Sequence, residues 1–154
     1  MMSITSDVFL DSSILVEYER SDRTALLDFL CERSEYHLFI SETVLSEYAF
    51  QMLALYGRKA PLTLKVNAQI QATLDQADLE PVLTQFTFLA NSPTIVPLYL
   101  HLMAKYNLLP NDALILATCK LHRIGQIASY DADFANACAG EGIRLIRSVA
   151  DLSA

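Results

Sequence analysis

Four carboxylates in this chain stand where they could share one cation: Asp11, Glu47, Asp112 and Asp131. Asp11 closes the apolar run Asp7–Asp11 (DVFLD), which reads as a strand buried on both faces. Asp131 directly follows Gln126–Tyr130 (QIASY), a second short strand. Asp112 opens Asn111–His122 (NDALILATCKLH), the most apolar helix of the chain. Glu47 lies about a turn and a half into the helix after the strand Tyr36–Ile40 (YHLFI), on the flank of its apolar face. In open α/β sheets the functional crevice lies beyond the carboxyl ends of the strands, and each of these acids can point into it. Carboxylates converging there make a hard-oxygen site suited to Mg²⁺ or Mn²⁺. Taken singly, each acid also has a structural explanation. Asp11 fits a turn or helix cap, Glu47 a solvated surface position, Asp112 a partner of the helix dipole, and Asp131 a cap for the next helix. The functional case is joint placement, because four independent caps need not fall on one edge of a sheet.

Other chemistries on related folds fit worse. A DxD-type phosphatase needs an acid two residues after Asp11, where Ser13 stands. A receiver domain wants an acidic pair near the first strand and a late lysine, but Asp11 precedes Ser12 and no lysine follows Lys120. The glycines Gly57, Gly125, Gly140 and Gly142 form neither a Walker loop nor a G-x-G-x-x-G turn. No serine sits in a G-x-S-x-G elbow. Cys31, Cys119 and Cys138 are odd in number with no CxxC pair, so they read as free thiols, Cys119 in the core. His37, His101 and His122 show no HxxxH or HExxH spacing.

At 154 residues the chain is expected to be one domain, 1–154, with room for a buried core. Hydrophobic residues make up 53% and charged residues only 19%, so several segments should be buried on most sides or meet a partner. The longest apolar run, around Ala113–Ala117, is far short of the roughly 20 residues of a membrane span. Met1–Asp7 lacks the basic start and apolar stretch of a signal peptide. The expected location is therefore cytoplasmic, with no membrane association. A net charge of −7 argues against binding nucleic acid through an overall basic surface. It leaves open contact through bound cations and a local patch drawn from Arg20, Arg23, Arg58, Lys59, Lys120 and Arg123.

The elements that must position the acids follow from periodicity. Ser12–Ser13 read as turn or cap residues, and Ile14, Leu15 and Tyr18 carry helical spacing. Thr24–Cys31 is a second helix. Ser41 is a plausible cap for a helix whose Leu45, Tyr48, Ala49 and Met52 share one face, ended by Gly57 and Pro61. The 30 residues near Leu62–Asn91 read as a helical insertion, with Val66, Ile70, Leu74 and Ala77 at helical spacing and Pro81 opening a helix through Phe88. Asn91–Pro93 is a break, and Pro97–Tyr106 a helix. Gly125 ends the Asn111–His122 helix, Ala132–Ala139 is a helix ended by Gly140, and Ile143–Ile146 is the last strand. Strands alternating with helices predict a mainly parallel sheet covered on both faces.

Taken in order, VFLDSSILVE, SETVLSEYAF, NDALILATCKLH and QIASYDADF resemble the PIN-domain nucleases from about Val8 to Ile146, most nearly the ribonuclease toxins of VapBC-type toxin–antitoxin pairs. The most specific piece is Asp-Ala-Leu-Ile opening a helix, followed by a short strand running into Asp-x-Asp-Phe. The resemblance implies a three-layer α/β fold with a central, mainly parallel four- or five-stranded sheet. It implies Asp11, Glu47, Asp112 and Asp131 as the metal-binding, catalytic acids. Ser13 and Ser129 match small polar positions that would orient these acids or the substrate. Of the two acids in the last motif, Asp131 is read as the ligand and Asp133 as a helix-start acid. The first motif more often reads Asp-Thr-Asn; Asp11-Ser12-Ser13 keeps its polarity. The implied activity is Mg²⁺- or Mn²⁺-dependent hydrolysis of RNA phosphodiesters by an endoribonuclease toxin. The implied partners are RNA, a second copy in a homodimer, and a small antitoxin laid over the site, with Tyr48, Met52, Leu55, Tyr56 and the Leu62–Phe88 region as contacts. The alternative is a catalytically inactive PIN-fold module that binds RNA or protein, and metal binding discriminates the two. An enzyme of DNA flaps usually has a larger chain with more basic helices.

Overall fold

The computed structural model describes residues 6–152, so Met1–Thr5 of the amino-terminal stretch read above lie outside it. The chain's centre is β1 (Ser6–Leu10), whose Val8, Phe9 and Leu10 have no exposed surface. An apolar run without alternation can lie in a sheet only if both faces are covered. Its neighbours are β2 (Tyr36–Ser41) and β4 (Gln126–Ala128), and β3 (Thr87–Leu89) and β5 (Arg144–Ile146) form the edges. All neighbouring strands are parallel, in the order β3-β2-β1-β4-β5. The sheet thus has five strands. Phe9 pairs with Phe39 on one side and with Ile127 on the other. The chain lays β2 and β3 outward on one side of β1, then crosses to place β4 and β5 on the other. The topological switch therefore lies between β1 and β4, where the carboxyl ends open a crevice.

Helices flank the sheet. They are α1 (Ser12–Glu19), α2 (Ala25–Cys31), α3 (Glu42–Gly57), α4 (Pro61–Val66), α5 (Ile70–Ala77), α6 (Glu80–Leu83), α7 (Ile95–Tyr106), α8 (Pro110–Leu121) and α9 (Phe134–Glu141). The core-facing stretch of α8 has Ala113, Ile115, Leu116, Ala117, Thr118 and Cys119 all at 0% exposure, as its near-continuous hydrophobicity requires. Thr118 is tolerated there because its hydroxyl donates to Leu114 O at 2.7 Å. α1 packs on α3, and the carboxylate of Glu19 joins them by accepting from Tyr48 Oη and Tyr56 Oη, each at 3.2 Å. No helix among the described residues is long and apolar enough to cross a membrane.

Several expectations need correction. Asp11 is not in the strand; it is the N-cap of α1, and Ser12 and Ser13 are helical. The buried face of α3 is Val44, Tyr48 and Met52, while Leu45 is 38% exposed. Tyr48 and Met52 are fully buried and cannot touch a partner. Ser41 makes no capping bond through its side chain. Arg58, in a left-handed conformation, stops α3, and Pro61 starts α4. The expected stripe from Val66 to Ala77 is broken between α4 and α5, where Ala68 has φ 54°, and Val66 is 76% exposed. Pro81 opens only the single turn α6; Thr87, Phe88 and Leu89 instead form β3. The open edge of β2 captures these residues, pairing Thr87 with Phe39 and Leu89 with Ser41. α7 begins at Ile95, two residues before Pro97. α8 leaves helical geometry at His122, ahead of Gly125. α9 runs past Gly140 to Glu141, and Gly142 at φ +70° ends it, since glycine, having no Cβ, enters that region at little steric cost. Gly140 is needed for another reason: a Cβ there would collide with the Tyr106 ring.

Candidate functional site

Asp11 stands where β1 becomes α1, and its amide donates to Ala128 O of β4 at 3.0 Å, which pins it at the switch point. Only 5% of it is exposed. Its Oδ2 accepts from Ser13 Oγ at 2.7 Å and from Ser129 Oγ at 2.8 Å. Ser129 Oγ in turn accepts the amide of Asp131 at 3.0 Å, and Ser13 Oγ accepts the amide of Tyr130 at 3.0 Å. Two hydroxyls thus bind the end of β1 to the loop after β4. Each spends its single proton on the Asp11 carboxylate and accepts one backbone N–H, so the donor of both serines is used. β4 ends at Ala128, two residues sooner than its sequence suggests, because Ser129 and Tyr130 turn into this network.

The acids from the other elements meet here. Asp112 lies in the first turn of α8. Carboxylate oxygens of Asp112, Asp131 and Asp133 lie within 4.8 Å of one another. Two unit charges about 5 Å apart repel by roughly 3 kcal/mol at an effective dielectric of 20. The carboxyl of Asp112 is accordingly pushed up to about 7: burial is the largest cause, followed by the charges of Asp131, Asp11, Glu47 and Asp133. Glu47 is also raised, by burial first and then by Asp11, while hydrogen bonding to Asn111 and Ser12 pulls the other way and the charge of Asp131 adds to the rise. Its Oε1 is buried without a hydrogen-bond partner among the described residues. A carboxylate oxygen removed from water and given no donor is costly unless a cation meets it.

All four predicted acids therefore belong to one electrostatic group, and Asp133 joins them. Asp133 occupies the N-cap position of α9 but makes no capping bond through its side chain; Asp131 Oδ1 instead accepts the Asp133 amide at 2.9 Å. Asn111 and Ser12 were not singled out in the sequence, although Asn beside the acid that opens the apolar helix was a visible signal. Of the six expected cations, Arg23 stands against the residue before Asp131, with its guanidinium 4.8 Å from the centroid of the Tyr130 ring. Arg20 pairs with Glu17 and Lys120 with Glu141. Arg147, which was not among the six, reaches Tyr130 O at 3.4 Å.

The model of the PIN domain family matches residues 8–140. The chain belongs to the PIN-domain family. Two relatives from Methanocaldococcus jannaschii agree with this assignment. Ribonuclease VapC2 is 33% identical over 129 residues, 82% of this chain and 86% of the relative. Ribonuclease VapC6 is 33% identical over 140 residues, 84% of this chain and 91% of the relative. Among solved structures, a toxin–antitoxin complex from Klebsiella pneumoniae superimposes with a TM-score of 0.56 at 25% identity, covering 83% of this chain and 90% of that one. This PIN domain thus has the parallel five-stranded sheet and flanking helices expected from its sequence.

Proposed function

We propose that this PIN domain is an Mg²⁺- or Mn²⁺-dependent endoribonuclease and the toxin of a toxin–antitoxin pair. The observation that carries the reading is the group of five carboxylates at the β1/β4 switch point, with Glu47 Oε1 buried and unpartnered. Such a donor set fits a hard divalent cation and little else. Asp112, Asp131 and Asp133 would hold it at one side, and Asp11 and Glu47 would complete the anionic cradle. A divalent ion bound there supplies an activated water and neutralises charge developing on phosphate oxygens. The protein's part is positioning. Ser13 and Ser129 occupy Asp11 Oδ2 with their protons, which fixes the carboxylate plane and leaves Oδ1 without a donor among the described residues. Asp131 is held through its own amide and that of Asp133. Near neutral pH Asp112 carries a proton part of the time, and it gives that proton up when positive charge enters the group.

The RNA substrate and the antitoxin partner are carried over from the VapC ribonucleases and the toxin–antitoxin complex that this chain resembles. A homodimer and a cytoplasmic location belong to the same reading. The exposed Leu62 and Val66 of α4, at 70% and 76%, would lie in the Leu62–Phe88 contact region. The test is calorimetric titration of metal-free protein with Mn²⁺, beside the Asp11→Asn/Asp112→Asn double variant, followed by cleavage assays on RNA. Saturable binding lost in the double variant, with metal-dependent cleavage, is expected. No binding by folded wild-type protein would refute the reading in favour of an inactive module.

A further inference from the structure

The loop that carries Asp131 has a second face. Tyr130, one residue before that acid, lines a cavity of about 370 Å³ together with Asp22, Arg23, Thr24 and Arg147. That volume lies within the roughly 300–1,000 Å³ range of small-ligand sites. Arg23 lies over the Tyr130 ring, and Tyr130 Oη donates to Arg23 O at 3.4 Å, so the two residues brace each other. Arg147 reaches the same wall from the end of β5 through its bond to Tyr130 O. Its backbone is fixed, because Asp151 Oδ2 accepts the amides of Arg147 and Ser148 at 2.8 and 3.1 Å. Among the described residues neither guanidinium has a carboxylate within 4.0 Å. In a chain of net charge −7, two arginines and an aromatic ring thus share one cavity with Asp22, beside the acids.

We propose that this cavity seats one nucleotide of single-stranded RNA next to the scissile phosphate, its base on the Tyr130–Arg23 stack and its phosphate on Arg147. The assignment rests on the ribonuclease reading above and names where its substrate is held. An aromatic ring under a guanidinium plane is the surface on which unpaired bases stack. A guanidinium tethered to the wall by its bond to Tyr130 O keeps further N–H donors for a phosphate. The local pair of cations also answers how an acidic protein meets a polyanion: the strand is held by a small basic wall one residue from Asp131, not by the surface at large.

The test is fluorescence anisotropy of a labelled short single-stranded RNA of mixed sequence, in Mg²⁺, with the full chain carrying Asp112→Asn to silence cleavage. Tyr130→Leu should weaken binding about tenfold, while Tyr130→Phe keeps it within about twofold, since the ring and not the hydroxyl is the platform. Arg147→Ala should weaken binding about fivefold and lower the slope of log K against log salt by about 0.7, one phosphate contact on a single strand. Arg144→Ala, at the amino end of β5, is the control and should change nothing. Equal binding by Tyr130→Leu, Arg147→Ala and their parent overturns the proposal; absence of RNA binding by the parent also overturns it. Failure of the ribonuclease reading is seen separately, as absent Mn²⁺ binding and absent cleavage by the wild-type chain.

Discussion

Replacing Asp112 by Asn should make the metal-free protein more stable at neutral and alkaline pH, although it removes an acid from the first turn of a helix. The unfolded carboxyl releases its proton near 3.8 and the folded one near 7. Between these values the folded state holds the extra proton, so stability falls as pH rises from about 4 and the penalty is complete above about 7. Each decade is worth about 1.4 kcal/mol, so a displacement from 3.8 to about 7 disfavours the charged fold by at most about 4 kcal/mol. Relaxation and solvent penetration reduce this to roughly 2–4 kcal/mol. Against it stands the favourable interaction of an anion with the amino terminus of α8, worth about 0.3–1 kcal/mol. The repulsion is larger, so the sign is set. Urea unfolding in a chelator, followed by circular dichroism or tyrosine fluorescence, should show Asp112→Asn gaining about 2–3 kcal/mol at a pH of about 8 and nothing at about 4. A variant that is less stable than wild type by a pH-independent amount would show that Asp112 acts as a cap, and the argument for mutual repulsion would fall.

Other expectations follow from the same geometry. Mn²⁺ at about 100 times its dissociation constant should stabilise the wild-type chain by about 2.7 kcal/mol, a rise in Tm of roughly 5–10 °C, and should leave the Asp11→Asn/Asp112→Asn variant unshifted; equal shifts in both would put the ion elsewhere. Ser129→Ala deletes the buried donor to Asp11 and the acceptor of the Asp131 amide, so it should cost about 1–3 kcal/mol in urea unfolding and reduce RNA cleavage. Wild-type stability in that variant would mean the hydroxyl does not hold the loop. Glu141 is drawn down to about 2 by the Tyr106 hydroxyl first, against burial, with Lys120 and Lys105 assisting. Since its unfolded value is 4.5, this stabilisation is present above about 4.5 and lost as pH falls toward 2. Lys105 is 47% exposed and solvent screens it, so Glu141→Gln should cost only about 1–2 kcal/mol at neutral pH, with the difference closing in acid.

Most of the frame, and the acids that come together at the crevice, were legible in the sequence. Val8–Leu10 and Ala113–Cys119 are apolar without alternation, and such runs can exist only buried on all sides, which requires a parallel sheet under helices. Three carboxylates at strand and helix ends, and Glu47 on the flank of the helix after β2, could be named because these positions face one edge of such a sheet. The remainder depends on non-local capture. Thr87–Leu89 became a strand because β2 offered an open edge, a fact absent from its own helical-looking neighbourhood. Leu45 turned outward because α1 and α5 packed on the other faces of α3. The turn of Ser129 and Tyr130 out of β4 depends on Ser13, more than a hundred residues away in the chain. The entry of Asp133 into the carboxylate group, and the joining of Arg23 to Arg147 across Tyr130, arise the same way. Periodicity reports what a segment can bury; which side chains then meet is set by the crossing of the chain between β1 and β4.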